Sequence, residues 1–151
     1  MAKLEKEGKL PVRYEGTYQI FTPERVHSAI PEMKRYREEY GGDRLQFNTV
    51  NLSMDGINQN RSSGLLEPHT DDPDYLGDTM LTVEELREFL LELSSEQFDI
   101  HIHTMGDLAV RRVLDAVEQA RDIAEDNFYP RVTIAHLGLI DSDDLPRIKE
   151  L

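Results

Sequence analysis

Two histidines carry the strongest chemical signal in this sequence. His103 closes Phe98-Asp99-Ile100-His101-Ile102-His103, a strict alternation that marks a β-strand with three apolar residues on one face and Asp99, His101 and His103 on the other. His136 ends a later strand-like run, Val132-Thr133-Ile134-Ala135-His136. An earlier run finishes the same way, with Asn51, Ser53 and Asp55 opposite Val50, Leu52 and Met54. Neutral imidazole is the commonest metal ligand, so two strand-end histidines in consecutive βα units make a metal centre as good a reading as a pair of satisfied core histidines. His27, in a helix, and His69, in a loop, read as surface residues.

The elements that position these groups alternate along the chain. Gly8 reads as a helix C′ residue, and Leu10 to Tyr14 as a strand. Thr22-Pro23-Glu24 starts a helix that runs to Tyr40 and the stop at Gly41-Gly42, with a kink or restart at Pro31. Leu45 to Met54 forms the second strand. Residues 56 to 80, rich in Gly, Pro, Asp and Asn, form a long loop, and loops of that length are usually functional. Thr82-Val83-Glu84-Glu85 is a capping box opening a helix with Leu86, Phe89, Leu90 and Leu93 on one face. Asp107, after Gly106, caps a helix whose apolar face includes Val110, Val113, Leu114, Val117 and Ile123; an N-cap is the more economical reading of this residue than a catalyst. Arg131 to Leu139 is the last strand. Asp141, Asp143 and Asp144 read as a solvated cluster at a helix start rather than a metal site.

Four βα units in succession imply parallel strands with right-handed crossovers in one α/β unit spanning 1–151. Three polar residues on one face of a strand would be costly in a doubly wound sheet, where helices cover both faces. In a closed barrel that face lines the interior, and its C-terminal mouth is the usual active site.

Composition bounds the partners. With 30 acidic against 17 basic residues the formal net charge is −13, which repels nucleic acid and anionic membranes. No apolar run approaches the roughly 20 residues that span a bilayer, and the N-terminus lacks a signal-peptide core, so the expected compartment is the cytoplasm. The absence of Cys excludes thiolate metal sites and Cys nucleophiles. Twelve of the basic residues are Arg and only five Lys, a bias that fits either a high-salt habitat or an ordinary acidic protein.

Taken together, Val50-Asn51-Leu52-Ser53-Met54-Asp55-Gly56, then Leu65-Leu66-Glu67-Pro68, then His101-Ile102-His103-Thr104-Met105-Gly106-Asp107-Leu108-Ala109-Val110, then Ile134-Ala135-His136, resemble the amidohydrolase superfamily. Within it they are most similar to the amidohydrolase family 3 branch, which includes N-substituted formamide deformylase-like proteins. The resemblance runs from about Leu4 onward. It implies a partial (β/α)8 TIM barrel, strands three to six of the family's eight. It also implies a divalent metal, zinc or alternatively iron, held by His103 and His136, and a metal-activated water that attacks a small-molecule, non-peptide amide-like C–N bond. Asn51, Asp55, His101 and Asp107 would act behind the ligands or on substrate, with Asp107 orienting the helix start.

Two departures shape the expectation. The family's fourth-strand Lys, carboxylated to bridge two metals, is here Asn51, which cannot be carboxylated. The family's first-strand His-x-His and its eighth-strand Asp, the catalytic base, have no counterpart: His101-x-His103 lies in the fifth-strand context. A full barrel takes about 250 residues. The expectation is therefore a segment of a longer hydrolase, inactive by itself and prone to self-association through open sheet edges. The rival reading is a regulatory or binding protein that keeps the scaffold.

Overall fold

The computed structural model describes residues 1–150. Its centre is a four-stranded parallel sheet in the order β1 (Tyr14–Ile20), β2 (Leu45–Ser53), β3 (Asp99–Thr104), β4 (Val132–His136). Each strand pairs with the next in sequence, and no reversal of order occurs. This is how one wall of a barrel is wound, whereas a doubly wound sheet reverses direction at a switch point. The connecting helices are α2 (Val26–Tyr40), α3 (Val83–Ser95) and α4 (Asp107–Ala124), preceded by a short α1 (Ala2–Lys6) and followed by α5 (Leu145–Glu150).

The two faces of the sheet divide as the alternation predicts. Ile20, Val50, Leu52, Ile100 and Ile102 are fully buried and join Met33, Leu86, Leu90, Leu93, Val113 and Val117 of the helices in one core. Asn51, Ser53, His101 and His103 point to the other face and remain half-buried. A helix layer on one side and polar groups on the other is a barrel wall seen in isolation, with β1 and β4 at its edges.

Several local features match the sequence. Gly8, at φ +65°, follows the last turn of α1 as a C′ residue. Thr82 and Glu85 exchange hydrogen bonds in a full capping box. Others differ. Leu10 to Tyr14 is not a strand, since Pro11 offers no donor; pairing begins at Tyr14 and continues to Ile20 across a register shift at Gly16, which breaks the alternation that would have marked it. Thr22 makes no side-chain cap, and the segment enters α2 through a 3₁₀ turn at Pro23–Arg25; Pro31 lies within the helix. Ile123 is 60% exposed and leaves the apolar face of α4.

The last strand stops at His136, not Leu139. His136 (φ +70°) and Leu137 (φ +49°) both take the left-handed conformation, which ends the ladder and turns the chain. The acidic cluster that follows is also not simply solvated. Asp144 is 1% exposed, receives Arg111 Nε on both carboxylate oxygens at 2.7 Å, and accepts Arg147 Nη1 at 3.0 Å. Arg147 continues to Asp115 and Glu118 at 2.7 and 2.9 Å. This network fastens α5 to α4. Asp144→Ala removes the one buried carboxylate of the network, leaving Arg111 with Asp141 at 3.5 Å and Arg147 with Asp115 and Glu118; it is expected to cost about 2–3 kcal/mol in urea denaturation, and a loss below about 0.5 kcal/mol would show that the network is not a clamp.

Candidate metal centre

The C-terminal ends of β2 and β3 are tied together by one carboxylate. Asp55, two residues past β2, is 9% exposed and accepts three backbone N–H groups. Met105 N reaches Oδ1 at 2.9 Å, and Gly106 N and Gly64 N reach Oδ2 at 2.8 and 3.2 Å. The first two donors open the β3–α4 turn and the third belongs to the long loop. Gly106 is required here, because a Cβ would collide with the carbonyl oxygen of Gly64. Burial pushes the Asp55 carboxyl above its usual range, against the pull of the three N–H groups and of nearby His103.

His103 stands beside this anchor. Its Nε2 lies 2.8 Å from the carbonyl oxygen of Gly56 and 3.9 Å from Asp55 Oδ1. A carbonyl cannot donate, so Nε2 carries the proton and Nδ1 keeps its lone pair. A carbonyl on the far nitrogen is the arrangement that orients a metal-ligating histidine and fixes its tautomer. His136, exposed at the end of β4, brings its ring to 4.7 Å from that of His103, edge to face. The pairing puts Thr104 opposite His136, and the left-handed turn that follows is held by Leu139 N on Met105 O at 2.9 Å. The two sequence-selected histidines therefore meet at the mouth, as a pair of imidazoles of the kind that hold a divalent metal. Among the described residues no third His, Asp or Glu gathers with them, so two imidazoles are what this segment supplies.

The remaining selected residues fall elsewhere. His101 sits one layer below His103 on the same face, between Asn51 and Thr133 in register, and its buried Nδ1 has no partner. Asn51 Oδ1 lies 3.5 Å from Gln19 Nε2, a marginal contact. Asp107 is the first residue of α4 and not its N-cap, which is Gly106. Its Oδ1 accepts Leu66 N at 2.9 Å and Leu108 N at 3.0 Å, so it pins the long loop to the helix start. His27 is exposed; His69 is half-buried and stacks on Tyr75, 5.4 Å between centroids.

The sequence reading did not single out the Gly56 carbonyl, Gly64 or the amides of Met105 and Gly106. Backbone groups leave no residue-type signal, although Gly56 directly after Asp55 and Gly106 before Asp107 marked close approaches. Also unforeseen is the cavity of about 570 Å³ in front of His103, which Phe21, Ile57 and Met80 line together with Ser53 and Asp78.

The family model described as "Amidohydrolase family" matches residues 1–151. Over 116 residues the chain is 27% identical to the exoenzymes regulatory protein AepA of Pectobacterium carotovorum, covering 77% of this chain and 24% of that protein. Over 94 residues it is 28% identical to YtcJ of Bacillus subtilis, assigned by its name to the amidohydrolases, covering 62% of this chain and 18% of that one. Crystal structures of uncharacterized metal-dependent hydrolases from Pyrococcus furiosus and Pyrococcus horikoshii superpose with TM-score 0.73 at 29% and 27% identity, over 98% of this chain and 29% and 28% of theirs. The chain thus spans about a quarter of the length of the proteins it resembles.

Asp55→Ala strands three N–H groups at the mouth and is expected to cost about 3 kcal/mol, with faster amide exchange at Gly64, Met105 and Gly106. The Asp55 carboxyl is raised above its unfolded value of about 4, so the stability it lends is full below that pH and falls as pH rises through the folded pKa. The wild type should therefore lose stability relative to Asp55→Asn over that window; a gap that stays constant above about pH 4 would contradict the assignment.

Proposed function

This chain belongs to the amidohydrolase family, and from that premise we propose that it is the metal-holding segment of a hydrolase that cleaves a non-peptide amide-like C–N bond. The observation that carries the proposal is the meeting of His103 and His136 at 4.7 Å, with the proton of His103 held on Nε2 by the Gly56 carbonyl. The likeness to metal-dependent hydrolases supports it.

In this reading His103 Nδ1 and the His136 ring hold a divalent cation, zinc or iron. Such a cation supplies a water of lowered pKa and polarises a carbonyl. The chain's own residues do the positioning. The Gly56 carbonyl keeps the His103 lone pair on Nδ1, and Asp55, the residue before it, ties that segment to the β3–α4 turn just beyond His103. Asn51 brings no anion to the site, so the segment favours a single metal over a carboxylate-bridged pair. The catalytic base belongs to other parts of the enzyme, and the 151-residue piece is expected to bind metal without turnover. The proposed place in the N-substituted formamide deformylase-like branch rests on Asp55-Gly56, Leu66-Glu67-Pro68, His103-to-Asp107 and Ile134-Ala135-His136 taken together.

A regulatory protein on the same scaffold is the second reading. Asn51 in place of a bridging Lys favours it, as does the likeness to AepA, a protein named as a regulator.

Zn²⁺ titration followed by imidazole ¹⁵N shifts separates the two. The hydrolase reading expects saturable shifts at His103 Nδ1 and at His136, with affinity reduced at least about tenfold by His103→Ala or His136→Ala. Unchanged affinity in both variants, or no saturable binding by the folded chain, would favour the scaffold-only reading.

A further inference from the structure

His103 and His136 are aimed at the mouth by different means. A carbonyl on its ring orients His103, whereas among the described residues no group hydrogen-bonds the ring of His136, so the backbone aims it. That backbone is strained. Leu137 N donates to Ala135 O at 2.9 Å and closes a γ-turn on His136, whose φ of +70° selects the rarer form of that turn. Leu137 follows at φ +49°. The other non-glycine residues at positive φ among those described, Arg61, Gln97 and Glu125, stand singly where helical segments end, an ordinary place for it. A left-handed pair at a strand end persists only where its surroundings impose it.

Here the surroundings are chiefly the Met105 peptide. Before the turn, Thr104 Oγ1 donates to the Ala135 carbonyl at 3.2 Å. After it, Leu139 N donates to Met105 O at 2.9 Å, and Gly138 lies against the same residue. A Cβ on Gly138 would stand 2.9 Å from the Met105 carbonyl oxygen and 2.8 Å from Met105 Cε. The methyl end of Met105 can swing aside, but the carbonyl cannot move without releasing Leu139. Met105 N in turn donates to Asp55 Oδ1 at 2.9 Å. A chain of hydrogen bonds thus runs from Asp55 through Met105 to the exit of the γ-turn. Gly138 is exposed, so its missing side chain serves this approach and not the core.

We infer that Gly138 is a positioning residue for the metal centre. Its bare Cα lets the turn after His136 close on Met105, and Asp55, which already ties the segment beside His103, thereby places His136 in the same frame. A chelating pair needs such a frame, because a ligand held loosely shares the cation poorly. The role in metal binding rests on the metal-holding reading of the two histidines; the placement of His136 rests on the backbone alone.

Gly138→Ala in the full 151-residue chain tests it, with Gly8→Ala as the control. Gly8 stands at φ +65° with nothing within 4 Å of a Cβ, so alanine there lowers stability without touching the mouth. In metal-free NMR spectra the wild type should show cross-relaxation between the rings of His103 and His136, 4.7 Å apart. Gly138→Ala should abolish that contact and speed amide exchange at Leu139, while His103 keeps its proton on Nε2. Zn²⁺ affinity should fall at least about tenfold, with the ¹⁵N response of His136 lost before that of His103. Gly8→Ala should leave the ring contact and the zinc affinity unchanged. Leu139→Pro removes the N–H donated to Met105 without adding a Cβ at position 138, and should reproduce the loss at His136.

Ring contact and zinc affinity kept in both folded turn variants overturn the inference, as does the same loss in Gly8→Ala. Global unfolding by both turn variants also overturns it, since the turn would then be a stability element and not a positioning one. Loss of the ring contact in Gly138→Ala, with no saturable zinc binding by the wild type, keeps the positioning and removes the metal centre. Saturable wild-type binding that is indifferent to Gly138→Ala does the reverse.

Discussion

The mouth of this sheet depends on a buried carboxylate. Asp55 carries a charge into a site that is nearly dry, and the fold tolerates it because three backbone N–H groups converge on its two oxygens. Those donors come from two segments, the β3–α4 turn and the long loop after β2, which Leu108 N on Gly64 O and Leu66 N on Asp107 Oδ1 also join. Removing the carboxylate would leave all three donors unpaired in a place water reaches poorly, and that asymmetry is what makes one side chain a structural hub. The Gly56 carbonyl that sets the His103 tautomer is the next backbone acceptor along the chain. The geometry of the candidate ligand is therefore inherited from the anchor.

A second constraint divides the sheet. Helices α2, α3 and α4 cover one face with a continuous apolar core, so polar strand residues have only the other face to occupy. That face gathers Asn51 and His101 in one layer and Ser53 and His103 in the next, in register across β2 and β3. Chemistry is concentrated where the strands end because a strand-end side chain is the one that can be held from beneath and still meet a ligand. His136 reaches the mouth by a different device, a left-handed turn that stops β4 and swings the chain toward Met105.

The long loop belongs to the site as much as the strands do. Asp55, past the end of β2, holds it at Gly64 and Asp107, at the start of α4, holds it at Leu66, so two neighbouring βα units grip the same segment. Its early part then contributes Ile57 to the cavity wall. The aspartate at the start of α4 thus works across the mouth and not as a cap on its own helix.

Much of this was readable from residue types. Period-two alternation in 98–103 placed His101 and His103 on one face, the capping box at Thr82 fixed a helix start, and the βα order implied a parallel sheet wound one way. What stayed hidden has a common physical cause. The bulge at Gly16 erased the alternation of β1, the left-handed pair at His136 and Leu137 shortened β4, and Asp144 found Arg111 from α4 besides Arg147 one turn on. Which face of the sheet is polar, and that two histidines end neighbouring strands, follows from local pattern and is written in the sequence. Which nitrogen of His103 is free, and what the carboxylate of Asp55 grips, depends on backbone groups brought from segments about ten and fifty residues away. Backbone amides and carbonyls are the same at every position, so only the tertiary structure could decide those partners.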